Sequence, residues 1–329
     1  LLSLATTHTG QPYDIAPMYV GTVHSLCRDL LLDRRLYPQH QRPPAPAMLD
    51  ALSQYLFLYR RRRWEELSAE LFGNDDPIET IIDFFEDKET DSTSRHRAVT
   101  ACIALFNRWS EECLDPVQAR QRTDDPVHQG LLAMYQRYQA ALQPEPDGGH
   151  TDLSLLQQKA LAVLNGHVQA GQVFKHVIID EYQDTNTVQE RLFFTLAAGS
   201  KNLCVVGDDD QAMYRFRGAT VENFVEFAQR CQQHLQATPT KIPLLTNYRS
   251  RLPIVEFYKA FIAQHDWIHP NGQYRVAKNI DAYRQEPEPA VVVSRGDPDD
   301  VCAEIAGFVK RLLETGKVAD PNQIAFLFP

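Results

Sequence analysis

The sequence predicts an α/β protein: a truncated parallel sheet carrying an inserted all-helical domain, followed by part of a second α/β unit. Three observations carry this. Two β-branched runs, Val177–Ile179 and Leu203–Val206, flank the helical stretch Thr187–Ala197, the strand, helix, strand order of a βαβ unit. From about residue 48 to 142 the chain is rich in Leu, Ala, Gln, Glu and Arg, with little β-branched alternation, as a helical block requires. Beyond Leu244-Leu245 a helix and the runs Ala290–Val293 and Ile324–Phe328 begin a second unit that is cut short.

Length and composition set the frame. The 329 residues suffice for two or three domains, and 43% hydrophobic with 23% charged residues is ordinary for a globular chain. A formal charge of −10 excludes a surface that grips nucleic acid everywhere, though not a localised basic or aromatic track. Cys27, Cys102, Cys113, Cys204, Cys231 and Cys302 form no CxxC pair and have no histidine at zinc-ligand spacing. They read as reduced core thiols, suiting a reducing cytoplasm. No apolar run approaches the roughly 18 residues of a membrane span.

In chain order, the apolar stretch Met18–Val23 leads into a helix at Ser25–Leu32, and Arg42-Pro43-Pro44-Ala45-Pro46 breaks any regular element. Arg60 to Arg63 sit inside one helix of the following block. They read either as a DNA-facing patch or as a solvated face with local ion pairs. Pro144 to Gly149 ends the block, and Asp152–Leu164 is a helix with Leu153, Leu156, Ala160 and Leu164 on one face. The strands at 177 and 203 are expected to be buried on both faces. Thr220–Cys231 reads as one helix capped by Thr220, and Asp297 and Pro298 start another, with Val301, Ile305, Phe308, Val309 and Leu312 on one stripe.

Chemistry concentrates where strands end. The run Val177-Ile178-Ile179-Asp180-Glu181 delivers two adjacent carboxylates to the carboxyl edge of a sheet, where open α/β folds bind ligands. Asp180 suits hydrated Mg²⁺, and Glu181 suits a water attacking a phosphoryl group. The next strand ends in Gly207-Asp208-Asp209-Asp210-Gln211, whose glutamine can hydrogen-bond a terminal phosphate. Tyr214, Phe216 and Arg217 then offer stacking faces and a phosphate contact.

These residues resemble a family. GTVHSLC from Gly21, DEYQDTN from Asp180, GDDDQAMYRFRGA from Gly207 and TNYRS from Thr246 are similar, in this order, to motifs of superfamily 1 DNA helicases of the UvrD/Rep/PcrA group. The resemblance implies a RecA-like P-loop NTPase fold: residues 1–36 and 151–240 in the first RecA-like domain, 37–150 as the inserted helical domain, and 241–329 as the N-terminal part of the second. It implies ATP and Mg²⁺ as cofactors, with Asp180 on the metal, Glu181 on the attacking water, Gln211 and Arg249 on the γ-phosphate and Tyr248 stacked on adenine. Arg249 would be an arginine finger. Single-stranded DNA and DNA junctions are the implied partners, with Tyr214 and Phe216 stacking on bases and Thr22, His24 and Arg217 making backbone or base contacts. A histidine such as His24 is ordinarily a satisfied surface or core residue; its place in GTVHSLC singles it out. Val23 stands where the family usually has an aromatic. The implied activity is ATP-driven 3′ to 5′ translocation and unwinding in the cytoplasm, at the nucleoid.

One element of that pattern is missing. No glycine in the sequence opens a GxxxxGKS/T phosphate loop, and the chain stops before the family's last two motifs. The expectation is an internal piece that hydrolyses little ATP by itself. Two rival readings stay open: the helicase subunit of a RecB/AddA-like recombination nuclease, disfavoured by GDDDQ in place of GDPKQ, and a non-enzymatic module that binds DNA or protein.

Overall fold

The computed structural model describes residues 7, 9–10, 18–33, 36, 44–85, 94–143, 149–212, 221–264, 268–269, 272–273, 275–287 and 296–326. The chain divides into two compact units, Leu1–Thr240 with Gly272–Val276, and Lys241–Asn271 with Ala277–Pro329.

The larger unit begins with α1 (Val23–Leu32), whose N-cap Thr22 accepts the Ser25 N–H. A short strand, β1 (Ala47–Leu49), pairs in parallel with β2 (His150–Asp152), Ala47 opposite His150. Between them lie α2 (Ala51–Tyr59), α3 (Arg61–Ser68), α4 (Pro77–Phe84), α5 (Arg95–Glu111), α6 (Pro116–Arg120) and α7 (Pro126–Ala141). Asp76, Asp115 and Asp125 cap α4, α6 and α7, each followed by a proline at the start of its helix, so the orphan N–H groups find acceptors and no donor is wasted. Trp64, Phe106, Leu131, Tyr135 and Tyr138 form the centre of this block's core. Its polar heart is a buried network in which Tyr138 donates to Asp152 Oδ2 at 2.7 Å and Gln54 Nε2 donates to the same oxygen at 3.3 Å.

A second core cluster gathers α1 with α8 (Leu153–Asn165), β3 (Val177–Ile179), α9 (Thr187–Ala197), β4 (Leu203–Val205), α10 (Val221–Val225) and α11 (Phe227–Leu235). The strands β3 and β4 are parallel, Val177 opposite Leu203 and Ile179 opposite Val205. Buried Leu156, Leu192 and Phe193 fill the space beneath them.

The smaller unit contains β5 (Thr246–Arg251), parallel to β6 (Asp281–Arg284), with α12 (Leu252–Ile262) and α13 (Pro298–Glu314). Val255 and Ala282 are its buried apolar residues among those described.

Several expectations are corrected. The strands β3 and β4 are not buried on both faces: Ile178 is 72% exposed and Cys204 is exposed, because among the described residues only one face is covered by helices. Cys204 and Cys302 are therefore not core thiols, whereas Cys27, Cys102 and Cys231 are. Arg60 does not continue a helix; its ψ of 125° breaks the chain between α2 and α3. The arginines after it form the local pairs of a solvated face, Arg61 with Glu65 at 2.8 Å and Arg62 with Glu66 at 3.0 Å. The 220–231 helix is interrupted at Glu226 and runs on to Leu235, while Thr220 lies outside the described residues. On the apolar stripe of α13, Val301, Val309 and Leu312 are half-buried and Ile305 and Phe308 exposed. Ile324 to Phe326 form no strand; Phe328 and the 290–293 run lie outside the described residues.

Candidate nucleotide and DNA site

In the larger unit the carboxyl ends of β3 and β4 lie side by side, and the hydrogen-bond ladder continues past them. Val206 N–H donates to Ile179 at 2.8 Å and Tyr182 N–H donates to Val206 at 2.9 Å. The residues after each strand are thereby brought together. Asp180 stays exposed, with Oδ1 accepting the Glu181 N–H at 3.0 Å. An exposed carboxylate at a strand end suits a cation that keeps most of its water.

Glu181 occupies the left-handed region, φ 52° and ψ 43°, a conformation that side chains other than glycine seldom adopt. The turn is held from beneath: Tyr182 is fully buried and donates its phenol to Glu190 Oε1 at 3.2 Å, and Arg230 pairs with Glu190 Oε2 at 2.8 Å. Backbone strain held by such packing is a mark of functional turns. Burial, and then the neighbouring Glu181 charge, raise the Asp184 carboxyl above its ordinary value. Its Oδ1 is buried without a hydrogen-bond partner among the described residues.

Gln211 is exposed and donates through Nε2 to Asp208 Oδ2 at 2.8 Å. The turn around it is anchored by a segment far away in sequence. Arg275 binds Asp210 through two nitrogens at 2.6 and 3.1 Å, and the Val276 N–H donates to Asp209 at 2.6 Å. The structure thus gathers Asp180, Glu181 and Gln211 around two adjacent strand ends. The sequence reading missed Gln183, Asp208 and Arg275. Gln183 and Asp208 stood within the quoted motifs, and Arg275 carried no local signal.

Thr22 serves as the cap of α1, so its hydroxyl already has a structural task. His24 is half-buried, and Gln157 Nε2 meets its Nε2 at 3.2 Å. Burial lowers the His24 pKa from its ordinary value. His24, Ser25 and Arg28 line a pocket of about 260 Å³ with Met48, Asp50 and Leu153. Tyr214, Phe216 and Arg217 lie outside the described residues.

In the smaller unit the TNYRS run forms β5 itself, and the helix starts only at Leu252. Asn247 Oδ1 accepts the N–H groups of Arg249 and Ser250 at 3.0 and 2.8 Å, which shapes the strand's end. Tyr248 is 67% exposed, its ring 5.0 Å from that of Tyr283, and Arg249 is also exposed.

A family profile described as the UvrD/REP helicase N-terminal domain matches residues 4–232. A Rickettsia conorii protein named "Probable DNA helicase II homolog" is 29% identical over 250 residues, covering 75% of this chain and 36% of the relative. The "DNA helicase II" of Rickettsia typhi is 31% identical over 188 residues, 56% of this chain and 28% of that protein. The "ATP-dependent DNA helicase PcrA" of Staphylococcus aureus is 30% identical over 181 residues, 54% and 24% respectively. The chain spans about a third or less of the length of these relatives. Among the described residues no helix is long and apolar enough to cross a membrane.

Proposed function

The chain belongs to the UvrD/REP helicase family, and from that premise we propose that it is part of an ATP-driven motor that translocates on single-stranded DNA 3′ to 5′ and opens duplexes at junctions. In this reading residues 1–36 and 151–240 build the first RecA-like domain, 37–150 the helical insertion and 241–329 part of the second RecA-like domain. The protein works in the cytoplasm, at the nucleoid.

The observation that carries the reading is the convergence of Asp180, Glu181 and Gln211 at the carboxyl ends of two parallel strands, with Glu181 held in the left-handed region. Open α/β sheets bind their ligands at that edge. Asp180 fits a hydrated Mg²⁺, since its carboxylate is exposed. Bound ATP supplies the phosphoryl group whose transfer to water releases the driving energy. Glu181 orients the water, Gln211 reads the terminal phosphate and Arg249 neutralises charge on it, a role worth about 10³ to 10⁵ in rate where arginine fingers act. Tyr248, exposed on β5, stacks on the adenine.

Tyr214 and Phe216 stack on DNA bases, and Thr22, His24 and Arg217 contact the strand. The turn that holds Gln211 runs directly into this segment, which supports a coupling between phosphate and DNA. Because the sequence has no GxxxxGKS/T loop, the chain alone turns over ATP negligibly. The test is binding of a fluorescent oligo(dT) to the chain at several salt concentrations. Salt-sensitive, sequence-tolerant binding that Phe216→Ala weakens about tenfold supports the reading, and no binding at low salt overturns it.

A further inference from the structure

Gln183 is 1% exposed and lies at the centre of the strand-end turns, yet nothing so far gives it a task. Its side-chain amide has two faces and both are engaged. Nε2 donates to Glu181 Oε2 at 2.7 Å, and Oε1 accepts the Asp208 N–H at 3.1 Å. Asp208 in turn holds Gln211 Nε2 through Oδ2 at 2.8 Å and the Asp210 N–H through Oδ1 at 3.2 Å. One unbroken run of hydrogen bonds therefore links the carboxylate of Glu181 to the amide of Gln211.

The fit around this amide is close. A Cβ at Gly207 would lie 2.5 Å from Gln183 Oε1 and 2.9 Å from the Phe224 ring. The backbone can approach Gln183 only because the residue before Asp208 is a glycine. A buried primary amide that must satisfy a carboxylate on one side and an N–H on the other has one productive orientation, since only its nitrogen donates and only its oxygen accepts.

We infer that Gln183 is a positioning residue which fixes the Glu181 carboxylate and the 207–211 turn relative to each other, so that the two act as one unit. The inference rests on the proposed roles of Glu181 and Gln211, but the coupling itself is testable without ATP or DNA. Glutamate at position 183 keeps the acceptor for the Asp208 N–H and loses the donor to Glu181, placing two carboxylates together. Exchanging both residues, Glu181→Gln with Gln183→Glu, restores a donor and an acceptor with the direction reversed.

The experiment is hydrogen–deuterium exchange of the intact 329-residue chain. Gln183→Glu is expected to speed exchange across residues 207–212 at least about tenfold, while α7 keeps its protection. The double exchange is expected to return 207–212 to within about threefold of the parent. Gln183→Leu, which cannot be rescued by Glu181→Gln, controls for simple loss of packing. Equal exchange in Gln183→Glu and in the double variant overturns the inference, as does unchanged exchange in Gln183→Glu. Should α7 lose protection as well, the same comparison is read by the Asp208 amide resonance in ¹⁵N NMR at low temperature, with coincidence of the two variants again decisive against it. Absence of oligo(dT) binding would sink the proposed function and leave this result standing; coupling lost with DNA binding intact would sink only the inference.

Discussion

Thr187 donates its hydroxyl to Glu112 Oε2 at 2.7 Å, so the first residue of α9 is tied to the C-cap of α5. Glu112 also pairs with Arg108 at 2.7 Å, so it keeps a partner when the threonine is lost. Thr187→Val is therefore expected to cost about 1 kcal/mol in urea denaturation, the usual net worth of one such bond. Loosening of the acidic turn just before α9, seen as faster exchange, should accompany it.

Arg230 pairs with Glu190, whose side chain is only 3% exposed. Burial raises the Glu190 carboxyl above its ordinary value in spite of that partner. Arg230→Ala leaves a buried charge and is expected to cost about 3 kcal/mol at neutral pH. The cost shrinks toward acid pH, because a protonated Glu190 carries no charge to desolvate. Denaturation curves at pH 7 and pH 5 check both the size and the direction.

Gly207→Ala sets a methyl against Gln183 and Phe224 at distances atoms do not tolerate. A loss of about 2 kcal/mol is expected from this overpacking. Gly10→Ala meets no atom within 4 Å, and although its φ of 68° strains an alanine locally it leaves 207–212 unaffected, which exchange measurements can verify.

Burial lowers the pKa of His24 from its ordinary value of 6.5. The unfolded chain takes up a proton as pH falls through 6.5 before the folded chain does, so stability is present above that pH and is lost below it. His24→Gln should flatten the acid-side fall in the stability profile from pH 6.5 downward, and an NMR titration of the ring gives the folded value directly.

On the DNA side, Arg217→Ala is expected to weaken oligo(dT) binding about tenfold and to lower the slope of log affinity against log salt by about 0.7, the value for one phosphate contact on a single strand. Phe216→Ala should weaken binding to a similar degree without changing the slope, because stacking releases no counterions. Anisotropy titrations at three salt concentrations separate the two.

Much of the central layout was legible from local pattern. Val177–Ile179 and Leu203–Val205 are β-branched and short, and Thr187–Ala197 between them is helical, so β3, α9 and β4 stand where the residues placed them. What escaped depends on distant partners. The three-residue β1 and β2 have no periodicity to detect, and each pairs with a segment 103 positions away, Ala47 with His150. Exposure of Ile178 reflects which layers cover the strand, a property of neighbours rather than of the isoleucine. In the site, the acids and Gln211 were visible as strand-end residues. The hold of Arg275 on Asp210 was not, since 65 positions separate them.

The pairing of Ala47–Leu49 with His150–Asp152 brings the two ends of the segment between them side by side. Material looped out between such ends can grow or shrink with little effect on what stays behind, because closure entropy rises only with the logarithm of loop length. A change of length within that segment leaves the strand ends near Glu181 and Gln211 in place as long as the contact of Glu112 with Thr187 is kept.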